Sequence, residues 1–303
     1  MNAPADDSLP RTKAPKVALI FEGGGMRNAY TAGCVTTLLE ERIDVGWVGG
    51  ISAGSSLTSN YLAGDIQRNI GSMTTIAVDP KYGGWGSFFR GRGYFDSEYI
   101  YHTAPITTYE NFGPFRFDNV MQSQIPFRIG ALKLASDEMV YWGREDMTDV
   151  DSMMTRVRAS SSLPGLMSPT IIDGEKYVDG ALGPSGGIPL DAAEADGFDK
   201  FLVIRTRPEG FRREESTRPG LVRRVFRKEP ILAEAILARP TRYNATAEKL
   251  EEYERQGKAL QFFPTDMRIN NRERNLDKVL EAYRLGYEQA QRELPRWLEF
   301  LQA

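Results

Sequence analysis

A serine inside a Gly-x-Ser-x-Gly pattern is the residue of this chain that most directly suggests chemistry. The pattern occupies residues 50–54 and follows the apolar residues of a predicted buried strand. Such a pattern places a serine on a sharp turn between a strand and a helix, with its hydroxyl exposed. Because Gly50 and Gly54 carry no side chain, that turn can close tightly. Ser52 is therefore a candidate nucleophile for acyl transfer.

A second segment offers the N–H donors that acyl transfer needs. The apolar run at residues 16–21 leads through Glu22 into three glycines, Gly23, Gly24 and Gly25. Glycines let a substrate oxygen approach the backbone closely, so the N–H groups of Gly24 and Gly25 are candidate oxyanion donors. The N–H of Ala53, at the start of the helix after Ser52, is a third candidate.

The glycine run has a competing interpretation as a dinucleotide-binding loop. That pattern requires glycine at position 28, where this chain has Asn28. It also expects an acidic residue after the next strand, which here ends at Ser52. Both departures disfavour a nucleotide cofactor.

The base that would activate Ser52 has two candidates. The chain contains one histidine, His102, and an α/β-hydrolase order would place the histidine far downstream, after the acid. An aspartate within hydrogen-bond reach of the serine can take the same role. Asp179 follows a predicted strand and precedes Gly180, so it occupies a turn that can aim a carboxylate. Asp179 is therefore the favoured base.

Hydrophobic patterning predicts the elements that position these residues. Near the amino terminus, short apolar runs alternate with segments whose apolar residues recur at helical spacing. This order indicates a parallel α/β fold. Predicted strands lie at residues 17–21, 45–51, 127–134, 138–143 and 201–205, with a hairpin at 171–178 and one more short strand at 261–264. Predicted helices lie at 30–42, 55–62, 149–160, 223–238, 246–259 and 276–301.

The segment 64–116 breaks this regular pattern, because it is rich in glycine and aromatic residues. We expect a mostly irregular excursion near the active face. Two interpretations stay open: a lid or binding loop, and a set of rings that plug the core around an insertion.

Composition bounds the remaining possibilities. The chain has 303 residues, 41% of them hydrophobic, and a formal net charge of −3, which gives no indication of nucleic-acid binding. Its one cysteine, Cys34, excludes an intrachain disulfide and fits a reducing compartment. Cys34 and His102 together are too few for a zinc site. We expect no metal and no organic cofactor.

The amino-terminal residues predict a mobile tail over positions 1–14. They are polar, contain three prolines between residues 4 and 15, and lack the apolar centre of a signal peptide. No run of about 18 apolar residues occurs, so no membrane-spanning helix is expected. The predicted location is the cytoplasm.

Taken together, these motifs make the chain resemble the patatin-like phospholipases. That family combines a Gly-Gly-Gly-x-Arg/Lys-Gly loop, a Gly-x-Ser-x-Gly nucleophile, an Ala-Ser-x-x-x-Pro block and an Asp-Gly-Gly/Ala block. The four patterns stand here in the same order, at residues 23–28, 50–54, 159–164 and 179–181. The resemblance implies a three-layer α/β fold, with a mainly parallel central sheet, helices on both faces and a helical C-terminal extension. The implied division is a catalytic domain at 15–210 and a mainly helical region at 211–303 packed on it.

The resemblance also implies a mechanism. Ser52 and Asp179 would form a catalytic dyad that cleaves fatty-acyl esters of lipids through an acyl-enzyme. Gly24, Gly25 and Ala53 would form the oxyanion hole. The residues expected to support these motifs are Gly23, Arg27, Gly50, Gly54 and Gly180. For Arg27 we expect a role in fixing the loop.

Asn28 departs from the family pattern, because it replaces the last glycine of the first block. If that position needs a positive φ, asparagine is the least unfavourable replacement, so we expect a working loop. Three alternatives to the hydrolase stay open: a non-catalytic lipid-binding or interaction protein on the same fold, an acyltransferase, and a thioesterase.

Two stretches favour peripheral contact with a membrane. Residues 83–92 mix aromatic and basic side chains on a glycine-rich backbone, and residues 212–228 carry seven basic residues against two glutamates. A solvated loop and a charged surface helix are the alternatives for these two stretches.

Overall fold

A single mixed sheet organises the fold. The computed structural model describes residues 11–83 and 94–303, and eight strands of these residues share one sheet. The strands are β1 (Thr12–Phe21), β2 (Ile43–Ile51), β3 (Phe127–Lys133), β4 (Glu138–Trp142), β5 (Thr170–Ile172), β6 (Glu175–Asp179), β7 (Lys200–Ile204) and β8 (Ala259–Phe262).

The strand order is β5-β6-β3-β2-β1-β7-β8, and β4 also pairs with β3. Pairing is parallel from β3 through β2, β1 and β7 to β8, and antiparallel among β3, β4, β5 and β6. The predicted mainly parallel sheet is therefore confirmed, with an antiparallel portion at one end.

The helices flank this sheet. They are α1 (Asn28–Glu40), α2 (Ala53–Ala63), α3 (Ile66–Met73), α4 (Thr75–Val78), α5 (Phe117–Gln122), α6 (Val150–Ser161), α7 (Leu190–Ala195), α8 (Pro219–Val225), α9 (Pro230–Arg255) and α10 (Leu276–Gln302). Among the residues described, no helix combines the length and apolar character that crossing a membrane requires.

Side chains of β1 show how the three layers form. Leu19 and Phe21 pack in a core cluster with residues of α1, α2 and α10. The alternate residues Ala18 and Ile20 pack in a second cluster with residues of α7 and α9. Because successive side chains of a strand point to opposite faces, β1 is covered by helices on both sides. This is why its sequence is a continuous apolar run.

Strand β3 brings the ends of β2 and β6 together. Ile51, the last residue of β2, pairs with Gly130, and Asp179, the last residue of β6, pairs with Ala131. Strand β4 occupies one edge of β3 over this stretch, so β2 and β6 must share the other edge. β2 is parallel to β3 and β6 is antiparallel, so the two strands meet end to end. The residue after β2 therefore lies beside the last residue of β6.

Three expectations from the sequence differ from the structure. In the segment 64–116, which we expected to be mostly irregular, the first part contains α3 and α4. The helices expected at 223–238 and 246–259 are replaced by α8 and by α9, which runs through Pro240. Buried residues on both sides of Pro240, including Leu232 and Tyr243, hold α9 together despite the proline.

The amino-terminal boundary also differs. Thr12, Lys13 and Ala14 pair with Ile43, Asp44 and Val45, so the last part of the predicted 1–14 tail belongs to β1. Residues 1–10 lie outside the described part of the chain, and so do residues 84–93, which make up most of the first proposed membrane stretch. The C-terminal region shares the sheet, because β8 pairs with β7.

Candidate active site

The structure brings Ser52 and Asp179 into direct contact. The hydroxyl of Ser52 donates a hydrogen bond to Oδ2 of Asp179 at 2.8 Å, and the N–H of Ala181 donates to Oδ1 at 2.8 Å. Asp179 is 1% exposed. Burial raises the pKa of Asp179 above its ordinary value, against the partly opposing effects of the Arg239 charge and these two hydrogen bonds. The pair has the geometry of a nucleophile and its base.

Ser52 lies on a strained turn. Its φ is 59° and its ψ is −132°, a conformation that non-glycine residues rarely adopt. The turn joins β2 directly to α2, and Gly54 lies against the end of β1. A β-carbon on Gly54 would be 2.3 Å from the carbonyl oxygen of Phe21, so this close approach requires glycine. This turn places the Ser52 hydroxyl at the carboxyl edge of the sheet.

Other motif glycines also mark crowded positions. A β-carbon on any of them would come within 3.0 Å of another atom, which real side chains avoid. This holds for Gly23, Gly24, Gly50 and Gly180.

The backbone of the glycine loop presents free donors. Among the described residues, none accepts a hydrogen bond from the N–H of Gly24, Gly25 or Ala53. All three residues line one cavity together with Ser52. Gly25 has a φ of +58°, and a β-carbon there would lie 2.7 Å from the carbonyl oxygen of Asn271. The same oxygen accepts a hydrogen bond from the N–H of Met26 at 3.3 Å, which holds the loop in place.

Asn28 does not occupy a left-handed position. Its φ is −69°, at the start of α1, so the condition under which glycine would be needed does not arise. Its Nδ2 donates to the carbonyl oxygen of Glu22 at 3.1 Å and to Oγ1 of Thr31 at 3.2 Å. The asparagine therefore ties the loop to the first turn of the helix.

Glu22, which sequence reasoning did not single out, anchors the glycine loop. Its Oε2 accepts hydrogen bonds from Nε of Arg205 at 3.0 Å and from the N–H of Thr206 at 2.8 Å. Its Oε1 accepts one from the hydroxyl of Tyr243 on α9 at 2.9 Å. Although burial opposes ionisation, Arg205 and these hydrogen bonds hold the pKa of Glu22 below its ordinary value. The sequence signal that could have identified Glu22 is an acidic residue placed directly between a buried apolar strand and a glycine run.

The role expected for Arg27, fixing the loop, stays a prediction. Arg27 is 6% exposed and lines the cavity, and its side chain forms no hydrogen bond or ion pair with any residue in the described ranges. Burial together with the charge of Arg207 lowers the pKa of Arg27 to about 10.

His102 contacts side chains other than Ser52. Its Nδ1 is 2.6 Å from Oδ1 of Asp151, and its Nε2 is 3.4 Å from Nη1 of Arg158. Neither partner is Ser52, whose hydroxyl bonds to Asp179 instead. The favoured choice of aspartate as the partner of the serine therefore agrees with this geometry.

The cavity next to Ser52 has a volume of about 170 Å³, and its lining contains two chemically different sets of side chains. The apolar set comes largely from the aromatic excursion and α6 and includes Met73, Tyr82, Phe95, Tyr101, Phe115, Met154, Leu166 and Met167. The basic set includes Arg27, Arg207, Arg213 and Arg239. Ser52 therefore lies in a cavity suited to an amphipathic ester.

Comparison with protein families identifies two regions. Residues 19–194 match the family model described as patatin-like phospholipase. Residues 229–302 match a model described as a domain of unknown function, DUF6363. The second region contains α9 and α10, which lie outside the four sequence motifs.

Several curated proteins are similar to this chain. The lysophospholipase NTE1 of Mycosarcoma maydis is 25% identical over 194 residues, which are 62% of this chain and 9% of that protein. An uncharacterized NTE family protein of Mycobacterium bovis is 24% identical over 65% of this chain and 51% of its own length. The uncharacterized protein YjjU of Escherichia coli is 26% identical over 66% of this chain and 55% of its own length. The chain thus spans about half the length of the bacterial relatives and far less of the fungal one.

A solved structure shares the fold. The crystal structure of VipD from Legionella pneumophila has a TM-score of 0.50 and 13% sequence identity, over 95% of this chain and 68% of that one. With a family model that covers more than half of the sequence, and with its four motif blocks gathered around one cavity, the chain belongs to the patatin-like phospholipase family.

Proposed function

We propose that this protein is a serine hydrolase that cleaves fatty-acyl esters of lipids. Membership of a family of lipid ester hydrolases supports this at the level of reaction class. The observation that carries the finer proposal is the 2.8 Å hydrogen bond from the Ser52 hydroxyl to the buried carboxylate of Asp179. That contact places a proton acceptor on the nucleophile without a histidine.

In the proposed reaction Asp179 takes the Ser52 proton as Oγ attacks the acyl carbonyl carbon. The carbonyl oxygen becomes an oxyanion, which the N–H groups of Gly24, Gly25 and Ala53 are positioned to bind. The proton passes from Asp179 to the leaving alcohol as the C–O bond of the ester breaks. Asp179 then takes a proton from a water molecule, whose oxygen attacks the acyl carbon. The bond from that carbon to Ser52 Oγ breaks, Asp179 returns the proton to Oγ, and the fatty acid leaves.

The test uses variants of the two proposed catalytic residues. Ser52→Ala and Asp179→Asn should each reduce hydrolysis of a p-nitrophenyl acyl ester by at least about a thousandfold. His102→Ala is the matched control and should keep the wild-type rate. Near-normal turnover in Asp179→Asn would exclude the dyad. Failure of wild-type protein to react with a fluorophosphonate probe at Ser52 would favour the non-catalytic alternative.

Peripheral membrane contact belongs to the same proposal. On α8 the side chains of Leu221 and Val225 are 52% and 64% exposed, next to Arg223 and Arg224. Apolar side chains flanked by basic ones suit an anionic lipid surface. We also propose a cytoplasmic location, which the buried, unpaired thiol of Cys34 supports.

A further inference from the structure

Four arginines line the active-site cavity. Arg27 precedes α1, Arg207 and Arg213 lie after β7, and Arg239 lies on α9, and all four line the cavity that contains Ser52. We call these residues the arginine cluster. Two of them, Arg207 and Arg213, follow the patatin-like region, and Arg239 lies in the C-terminal region.

The cluster has no protein anion of its own. The Nε atom of each of the four is buried and lacks a hydrogen-bond partner. Within the described residues, no carboxylate lies within ion-pair distance of any of the four guanidinium groups. By contrast Arg205 pairs with Glu22, and Arg68, a fifth arginine on the cavity wall, donates to the carbonyl oxygens of Gly113 and Ala104. Arg27 is buried, and Arg207, Arg213 and Arg239 are partly exposed. Buried polar nitrogens are normally hydrogen-bonded, so the four unpartnered Nε atoms on one cavity wall favour a site for an anion.

Two members of the cluster stack on aromatic rings. The guanidinium of Arg207 lies 4.3 Å from the centre of the Phe211 ring, and that of Arg213 lies 4.5 Å from the centre of the Tyr243 ring. Stacking orients a guanidinium and leaves its edge donors available for an anion.

Electrostatics within the cluster are unfavourable. Burial and the charge of Arg207 lower the pKa of Arg27 to about 10, and burial and the charge of Arg239 lower the pKa of Arg213 to about 10. These positive charges therefore oppose one another, and the charges of Glu22 and Asp179 offset this only in part. Asp179 is the carboxylate on the described wall of the cavity, and it already accepts the Ser52 hydrogen bond. An anion entering the cavity would relieve this repulsion.

The position of the cluster limits what the anion belongs to. Ser52, the arginine cluster and the apolar side chains line the same cavity, so an ester whose carbonyl lies at Ser52 can place its acyl chain against the apolar lining and its anionic group against the arginines. Several convergent guanidinium groups suit a phosphate, whose oxygens accept bidentate hydrogen bonds. A head group that carries its own cation would place a positive charge beside the arginines, which would repel it.

Building on the proposed hydrolase function, we propose that the arginine cluster binds the phosphate of the substrate. The preferred substrate class is then a fatty-acyl ester of glycerol phosphate with a terminal phosphate monoester, in preference to neutral acylglycerols and to choline esters of the phosphate.

The first experiment compares two esters with the same acyl chain, 1-oleoylglycerol 3-phosphate and 1-oleoylglycerol, in the same neutral detergent micelles. The expected ratio of kcat/KM favours the phosphate ester by about tenfold or more, as hydrogen bonds to charged groups would provide. In Arg207→Gln and Arg239→Gln the ratio should fall towards one. Arg284→Gln on α10 is the control, because it removes the same charge from an exposed ion pair with Glu288, and it should keep the wild-type ratio.

A wild-type ratio near one would overturn the inference, and so would a ratio that both cluster variants leave unchanged. If the neutral ester is hydrolysed through Ser52 while the ratio is one, the hydrolase proposal stands and the phosphate site fails. The ratio compares two substrates in one variant, so a general loss of activity or folded protein does not affect it.

The second experiment measures binding without turnover. Calorimetry on Ser52→Ala would compare a non-hydrolysable ether, 1-O-hexadecylglycerol 3-phosphate, with 1-O-hexadecylglycerol and with inorganic phosphate. Tighter binding of the ether phosphate by about tenfold or more over both probes, lost when Arg239→Gln is added, supports the inference. Equal affinity for inorganic phosphate would make the cluster a free-anion site and overturn it. Equal affinity for the two ethers would overturn it as well, even if no ester is ever hydrolysed.

Discussion

The side chain of Ser160 holds the backbone of Ser52. Its Oγ accepts a hydrogen bond from the N–H of Ser52 at 2.9 Å and donates one to the carbonyl oxygen of Gly130 on β3 at 2.6 Å. Gly130 is the residue that pairs with Ile51 at the end of β2. The hydroxyl thus joins the end of α6 and the middle of β3 to the serine turn, and it gives the Ala-Ser block of the sequence a physical role.

Ser160→Ala should lower kcat by about tenfold or more with little change in KM, because it frees the turn that aims the Ser52 hydroxyl. The buried N–H and carbonyl left without partners should also reduce the free energy of unfolding by about 1–3 kcal/mol. Steady-state kinetics and urea unfolding measure the two effects. Ser162→Ala is the control, because Ser162 is also buried and its hydroxyl bonds to the carbonyl oxygen of Arg158. Equal losses of kcat in both variants would show that Ser160 has only a general structural role.

The pH dependence of hydrolysis should reflect the burial of Asp179. The proposed base acts as a carboxylate, so kcat/KM should fall as the pH drops through the pKa of Asp179. Since burial raises that pKa, the acid limb should lie above the ordinary aspartate value of about 3.9. Arg239→Gln removes a charge that lowers the pKa, so the limb should move to higher pH.

A pH–rate profile on a neutral p-nitrophenyl ester measures this shift, with Arg223→Gln as the control for loss of one positive charge. A limb that stays in place or moves to lower pH in Arg239→Gln would contradict the coupling between Arg239 and Asp179.

Gly25→Ala should disable the proposed oxyanion hole. An alanine there must adopt a φ of +58° and lies against the carbonyl oxygen of Asn271, so the loop has to move. Loss of an oxyanion donor typically lowers kcat by about 10²–10³-fold. Gly257→Ala is the matched control, because Gly257 has a φ of +72° in an exposed turn with nothing within 4 Å of the β-carbon position. If the two variants have the same kcat at similar melting temperatures, the loop does not act as proposed.

Glu22→Gln should destabilise the protein strongly. It leaves the guanidinium of Arg205 buried without its counter-ion, and removal of one partner of a buried ion pair typically costs about 3–5 kcal/mol. Tyr243→Phe removes one hydrogen bond to the same carboxylate and should cost less, about 1.5–3 kcal/mol. Urea unfolding at neutral pH measures both, and an equal or smaller loss in Glu22→Gln would show that the ion pair does not stabilise the loop.

The same carboxylate contributes to acid sensitivity. The pKa of Glu22 is lowered in the folded state, so its stabilisation is present above the unfolded value of about 4.3. That stabilisation is lost as the pH falls through the lower folded pKa. Wild-type unfolding free energy should therefore decrease over this acid range, and Glu22→Gln should lack that part of the decrease.

Local sequence predicted the central strands well, and the two residues that it proposed as nucleophile and base are hydrogen-bonded to each other in the structure. Strands buried on both faces, such as β1 and β7, must be continuous apolar runs, and this signal does not depend on the rest of the fold. The motif glycines are equally local, because a turn as tight as the one at Gly54 excludes any β-carbon. Prediction was weaker where packing overrides propensity, as in α3 and in the passage of α9 through Pro240.

By itself the sequence determined which residues have nucleophilic, basic and donor chemistry, because those properties belong to residue types and short spacings. Only the tertiary structure decided which of them meet. Ser52 reaches Asp179 because β2 and β6 end against neighbouring residues of β3, and Glu22 reaches Tyr243 because α9 packs on the sheet. The arginine cluster joins residues from distant segments, and no local pattern encodes such a long-range convergence.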